Sequence, residues 1–72
     1  MTIMENYALL SSLIKARREL IAMDQETLAD YSGVSVTTIS SFENNKGNIG
    51  LKPLLSLLDT LGLSLDIKVK AI

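Results

Sequence analysis

Between Asp24 and Phe42 the chain reads DQETLADYSGVSVTTISSF, and the spacing of its small residues narrows the fold more than any other stretch. Asp24 and Ser35 are residues that cap helix N-termini, and each opens a run with apolar residues at helical spacing. Gly33 stands between the two runs, where a residue that takes positive φ without steric cost can end the first helix. Two helices joined by so short a turn cross steeply, and a large side chain at Ala29 would push them apart. Leu28, Val34, Ile39 and Phe42 are spaced to supply their shared core. The pattern predicts a helix-turn-helix whose second helix stands out far enough to enter a DNA major groove.

The flanks read as helices that complete this unit. From about Tyr7 to Ala22, apolar residues fall at Leu9, Leu10, Leu13, Ile14, Ala16, Leu20 and Ile21, a wide helical stripe. Asn and Gly in NKGNIG mark a loop. Gly50 can cap a helix from Leu51 to Leu61, whose first turn tolerates Pro53 because that N–H has no helical partner. Gly62 ends it. No internal repeat or linker divides the 72 residues, so a single domain over 1–72 is expected. The fold class expected is all-α, a compact bundle of four to five helices.

Composition removes several function classes. There is no cysteine and no histidine, which eliminates thiolate metal sites, disulfides and the commonest general base. No serine has a base at a recognisable spacing, no glycine-rich phosphate loop is present, and no cofactor or metal is expected. Apolar runs are too short for a membrane span, so the simplest expectation is a soluble, cytoplasmic protein. The net charge of −1 argues against nucleic acid on its own. Only folding could gather Lys15, Arg17, Arg18, Lys46, Lys52, Lys68 and Lys70 into a basic face.

Several local features occur together and in order: Gln25 opening the second helix, the pair Leu28–Ala29, Gly33 in the turn, and Ile39 in mid-helix. A Glu43–Asn44–Asn45 exit and the pattern L-x-x-L-L-x-L-L-x-x-L-G from Leu51 to Gly62 complete the set. In this the chain resembles the phage-repressor-type helix-turn-helix proteins of the Xre or Cro/C1 class, from about Leu13 to Leu65. The stretch TISSFENNKGNIGLKPLLSLLDTLGLSL, followed directly by a strand-like tail, is most similar to HipB-like antitoxins. Those are dimeric partners and co-repressors of HipA-type serine/threonine kinase toxins.

The resemblance implies a role for each matching residue. Gln25 falls at the position that holds a DNA phosphate, helped by the positive end of the helix dipole. Ser35 would add a backbone contact. Val36, Thr37, Ser40 and Ser41 match positions that face base edges, and Asn44, Asn45 and Lys46 fit a phosphate-touching loop. The reading face carries no Gln, Lys or Arg, so methyl contacts, bound water and DNA shape are the expected means of readout. Arg18 and Glu43 match a pair that sets how the recognition helix sits, the guanidinium suiting a bidentate grip. The partners implied are a palindromic double-stranded operator, a second copy and a HipA-like kinase. A stand-alone regulator without a toxin is the alternative, and a protein-binding module with a decayed DNA face is a third.

The tail LSLDIKVKAI changes period. Leu63, Leu65, Ile67, Val69 and Ala71 alternate with polar residues, the signature of a strand with one buried face. The chain offers it no partner strand, so residues 63–72 are expected to pair antiparallel with their own copy across a two-fold axis, through Leu65, Asp66, Ile67, Lys68 and Val69. An axis at Ile67 sets Asp66 opposite the partner's Lys68 and Leu65 opposite the partner's Val69. Each pair of opposite charges would contribute about 0.2–1 kcal/mol. An axis at Lys68 is the competing register.

Overall fold

Side-chain caps and left-handed residues fix where the helices begin and end. The computed structural model describes the backbone of residues 3–70 and the burial of residues 6–70. Among the described residues there are four helices: α1 (Ile3–Leu20), α2 (Gln25–Ser32), α3 (Val36–Glu43) and α4 (Leu51–Thr60). The Asp24 carboxylate accepts a hydrogen bond from the Thr27 N–H at 2.7 Å, satisfying one of the donors a helix start leaves unpaired. Ser35 does the same for the Thr38 N–H at 3.2 Å. Gly33, at φ 76°, closes α2 with its N–H on the Ala29 carbonyl.

The other three helices close by one device, in which the second and third residues past the last turn reach back to two orphan carbonyls. In α1 these bonds are Ala22 to Glu19 and Met23 to Arg18. In α3 they are Asn45 to Phe42 and Lys46 to Ser41, and in α4 Gly62 to Asp59 and Leu63 to Leu58. The left-handed residue is Ala22 (φ 56°), Asn45 (φ 57°) and Gly62 (φ 72°) in turn. Apolar spacing predicts α1 from Tyr7 to Ala22. The observed helix starts four residues earlier and stops two sooner, because Ala22 adopts a left-handed turn that its side chain does not advertise.

Ile14, Leu28, Val34, Ile39, Phe42, Leu54, Leu57, Leu58 and Leu61 form the core, with Tyr7, Leu10, Met23, Ala29, Ile49 and Leu63 packed at its margin. Each large side chain buried there stabilises the fold by about 1.5–3 kcal/mol relative to exposure. Helix α2 packs against both α3 and α4, and α1 against α3. The wide stripe of α1 is only partly used: Ile14 is buried, but Leu13 is 56% and Leu20 77% exposed. Residues 63–70 carry neither helix nor strand. A strand ladder needs a second strand, and none lies within the described residues. The expected strand's last two residues, Ala71 and Ile72, fall outside them.

Candidate nucleic-acid interface

Helix α3 divides sharply by side. Ile39 and Phe42 point into the core, while Val36, Thr37 and Asn44 are exposed and Ser40 and Ser41 partly so. One ridge of small hydroxyl and methyl groups therefore faces outward along the helix. At its start the Ser35 hydroxyl spends its one proton on Thr38 Oγ1 at 2.9 Å and accepts from the Thr38 N–H. What this end offers a phosphate is the set of first-turn N–H groups that no helical carbonyl reaches.

Three elements are locked together behind that ridge. Arg18 of α1 donates from Nε to Glu43 Oε2 and from Nη2 to Glu43 Oε1, both at 2.8 Å, a two-point grip that fixes the angle as well as the distance. Arg18 Nη1 donates to the Met23 carbonyl at 2.8 Å. Gln25, the first residue of α2, donates from Nε2 to Glu43 Oε1 at 3.2 Å. One carboxylate at the end of α3 thus joins the end of α1 to the start of α2. Burial on its own would raise the Glu43 carboxyl, but the hydrogen bonds from Arg18 and Gln25 and the Arg18 charge outweigh it and hold the pKa below the ordinary range. Arg18 is shifted up by the same hydrogen bond. Asp24 lies below its usual value because the Thr27 backbone N–H bonds its charged form.

The cations are distributed unevenly. Arg18 is neutralised by Glu43, and Arg17 Nε donates to the Leu61 carbonyl at 2.9 Å, tying α1 to the end of α4. Lys68 lies 3.5 Å from Asp66 of its own chain. Lys46 is exposed just past α3. Lys52, in the first turn of α4, lines a hollow of ≈ 310 Å³ with Ser56 and with Ser35 and Thr38 at the start of α3. The sequence pattern does not single out Lys52, although a lysine in a first helical turn after a loop is the signal that could have found it. Among the described residues, no cluster of His, Cys, Asp or Glu is arranged to hold a metal, and no helix is long and apolar enough to cross a membrane.

A family model described as helix-turn-helix matches residues 14–68, which includes α2, the turn, α3 and α4. The chain belongs to the Xre/Cro-type helix-turn-helix family. Its members are DNA-binding regulatory domains, typically without enzymatic activity. A comparison with curated proteins finds no match. Within this Xre/Cro-type domain the Arg18–Glu43–Gln25 network fixes how α3, the second helix of the helix-turn-helix, sits against α1 and α2.

Proposed function

We propose that this helix-turn-helix protein is a transcriptional repressor that binds a palindromic operator as a homodimer. The outward ridge of Val36, Thr37, Ser40 and Ser41 carries this reading: it is exposed along a helix whose other side is locked into the core. Those four residues read base edges, while Gln25, Ser35, Asn44 and Lys46 hold the backbone, with Lys52 as a further phosphate contact. Gln25 Nε2 has a second proton left after its bond to Glu43, and it is available for a phosphate oxygen.

The tail and α1 support the dimer. Leu10, Leu13, Ala16, Leu20, Leu63 and Leu65 line an apolar groove of ≈ 520 Å³ along the outer side of α1. Beyond it the same alternation continues into Ile67 and Val69, which are 85% and 100% exposed. Antiparallel pairing about Ile67 brings the partner's Val69 opposite Leu65, at the groove, and covers both apolar surfaces at once. Two recognition helices held about 34 Å apart would then meet successive major grooves. Linking them also raises the effective concentration of the second, which offsets the few phosphate contacts each half can make.

The narrower reading is that the protein is the antitoxin of a HipA-like serine/threonine kinase and autoregulates its operon in the cytoplasm, associated with the nucleoid. It is supported by the sequence resemblance from Thr38 to Leu65. A gel shift on the DNA upstream of its gene, run with wild type and with Thr37→Ala/Ser41→Ala, tests the repressor. Binding that the double variant weakens while the dimer persists is expected, and unchanged affinity would move readout elsewhere. Co-purification with a kinase encoded beside it tests the antitoxin. Operator binding without any kinase partner would make it a stand-alone regulator.

A further inference from the structure

Asn44–Gly50, between α3 and α4, is rich in Asn and Gly, a composition that ordinarily gives a mobile loop. Here both sides of Lys46 are tied to α1. The Tyr7 hydroxyl donates to the Gly47 carbonyl at 3.2 Å and accepts from the Ile49 N–H at 2.8 Å. Ser11 Oγ, one turn further along α1, donates to Asn45 Oδ1 at 2.7 Å and lies 3.0 Å from the Ala8 carbonyl. The Tyr7 ring stands edge-on to Phe42, with centroids 5.4 Å apart and planes at 85°, so the hydroxyl is held by the core of α3 itself. The Lys46 N–H is bonded to Ser41 and its backbone is bracketed by anchored neighbours, but its side chain is exposed.

Ser11 sharpens the point. It is 0% exposed within a helix, a place where alanine packs without a polar group to satisfy and forms helix more readily. A serine there carries a hydroxyl that needs a partner, and beyond the Ala8 carbonyl of its own helix the group it meets, at the shorter distance, is Asn45. Neither Tyr7 nor Ser11 is among the residues of the outward α3 ridge. We propose that Tyr7 and Ser11 are positioning residues for the DNA contact of Lys46: helix α1 sets where the ammonium group meets the phosphate backbone. The proposal rests on the reading that Lys46 contacts phosphate.

The test is the slope of log affinity against log salt on a short mixed-sequence duplex, which reports the number of neutralised phosphates and needs no knowledge of the operator. Lys46→Met is expected to reduce the slope by about 0.9 for each copy bound. Tyr7→Phe keeps the ring against Phe42 and removes both hydrogen bonds, so it should reduce the slope in the same direction with the helical content intact. Adding Lys46→Met to Tyr7→Phe should then do little more. Ser11→Ala, which removes the tether from the other side of Lys46, should act likewise. If Lys46→Met lowers the slope while Tyr7→Phe and Ser11→Ala retain the wild-type value, the positioning role is wrong and the phosphate contact stands. Additive losses in the double variant would overturn it too. A wild-type slope for Lys46→Met would remove the phosphate contact itself, and the proposal with it.

Discussion

Leu28 and Ile39 are completely buried between α2, α3 and their neighbours, whereas Ile67 and Val69, no less apolar, stand in solvent. The contrast extends to polar groups. In the helix-turn-helix, Asp24 and Ser35 cap their helices, Glu43 has three donors from two residues, and no buried side-chain polar atom among the described residues lacks a partner. In the tail, residues 64–70 are all exposed, and the one ion pair, Asp66 with Lys68, is itself in solvent, where such pairs contribute little. One region is closed by its own chain. The other presents an alternating apolar edge beside an open apolar groove, an arrangement that gains free energy only when another surface arrives. In the proposed dimer, stability and assembly fall in different parts of the molecule and can be perturbed separately.

The hardest way to break the closed region is to remove one partner of its buried ion pair. The Glu43 side chain is 1% exposed, so Arg18→Met would leave a carboxylate with most of its compensation gone. A loss of about 3–5 kcal/mol is expected, measured by urea denaturation. The pH dependence should change sign as well. In the wild type the folded pKa of Glu43 is depressed, so its stabilisation is complete above the ordinary glutamate value of about 4.3 and is lost as pH falls through the lower folded value. In Arg18→Met burial dominates and raises that pKa, so mild acidification should recover stability. A variant that loses stability with falling pH as the wild type does would mean that Glu43 is far more hydrated than its position implies.

The open region should respond in the opposite manner. Ile67→Asp removes an apolar group that the single chain does not bury, so monomer stability at low concentration should hold. The dimer should weaken by about 1.5–3 kcal/mol per copy, tenfold or more each. Sedimentation equilibrium checks this, and an unchanged dissociation constant would take the tail out of the interface. Because the chain has no cysteine, Ile67→Cys also reports the register. An axis at Ile67 brings the two sulfurs together and gives a covalent dimer on mild oxidation, while an axis at Lys68 sets each opposite the partner's Val69.

The same division governs what could be read from the sequence. Helix α2 was legible to the residue, Gln25–Ser32, because Asp24 and Gly33 announce both its ends chemically. The end of α1 was not, since Ile21 and Ala22 continue the apolar pattern through a turn made by backbone alone. Leu13 and Leu20 belong to the helical stripe by spacing but lie outside the core, because periodicity does not say how much of a wide stripe the rest of the chain covers. Tyr7 packs edge-on against Phe42, yet its hydroxyl also serves a loop some forty positions away. Only the three-dimensional arrangement brings those together. The family resemblance implies a phosphate contact for Gln25, while its bond to Glu43 joins residues 18 positions apart that only the fold brings together.

The smallest effect concerns Ala22, and it separates backbone from side-chain contributions at helix ends. Ala22, Asn45 and Gly62 share one closing geometry and φ of 56°, 57° and 72°. Only glycine takes that conformation without cost, which for a residue with a Cβ is about 1–2 kcal/mol. Gly62 is also placed so that a Cβ would lie 3.5 Å from Arg17 Nη2, an ordinary contact, so what Gly62→Ala would add is chiefly backbone strain. Asn45→Gly would relieve strain but lose the Ser11 hydrogen bond, so little net gain is expected there. Ala22 is exposed and its side chain has nothing to lose. After the larger backbone freedom that glycine brings to the unfolded chain, about 0.5–1 kcal/mol, Ala22→Gly should leave a gain of up to about 1.5 kcal/mol. The urea midpoint should rise with an unchanged slope, and both DNA affinity and the dimer constant should stay as they are. A lower midpoint would show that Ala22 is not left-handed in solution, and that α1 runs on towards the start of α2 as its apolar pattern suggests.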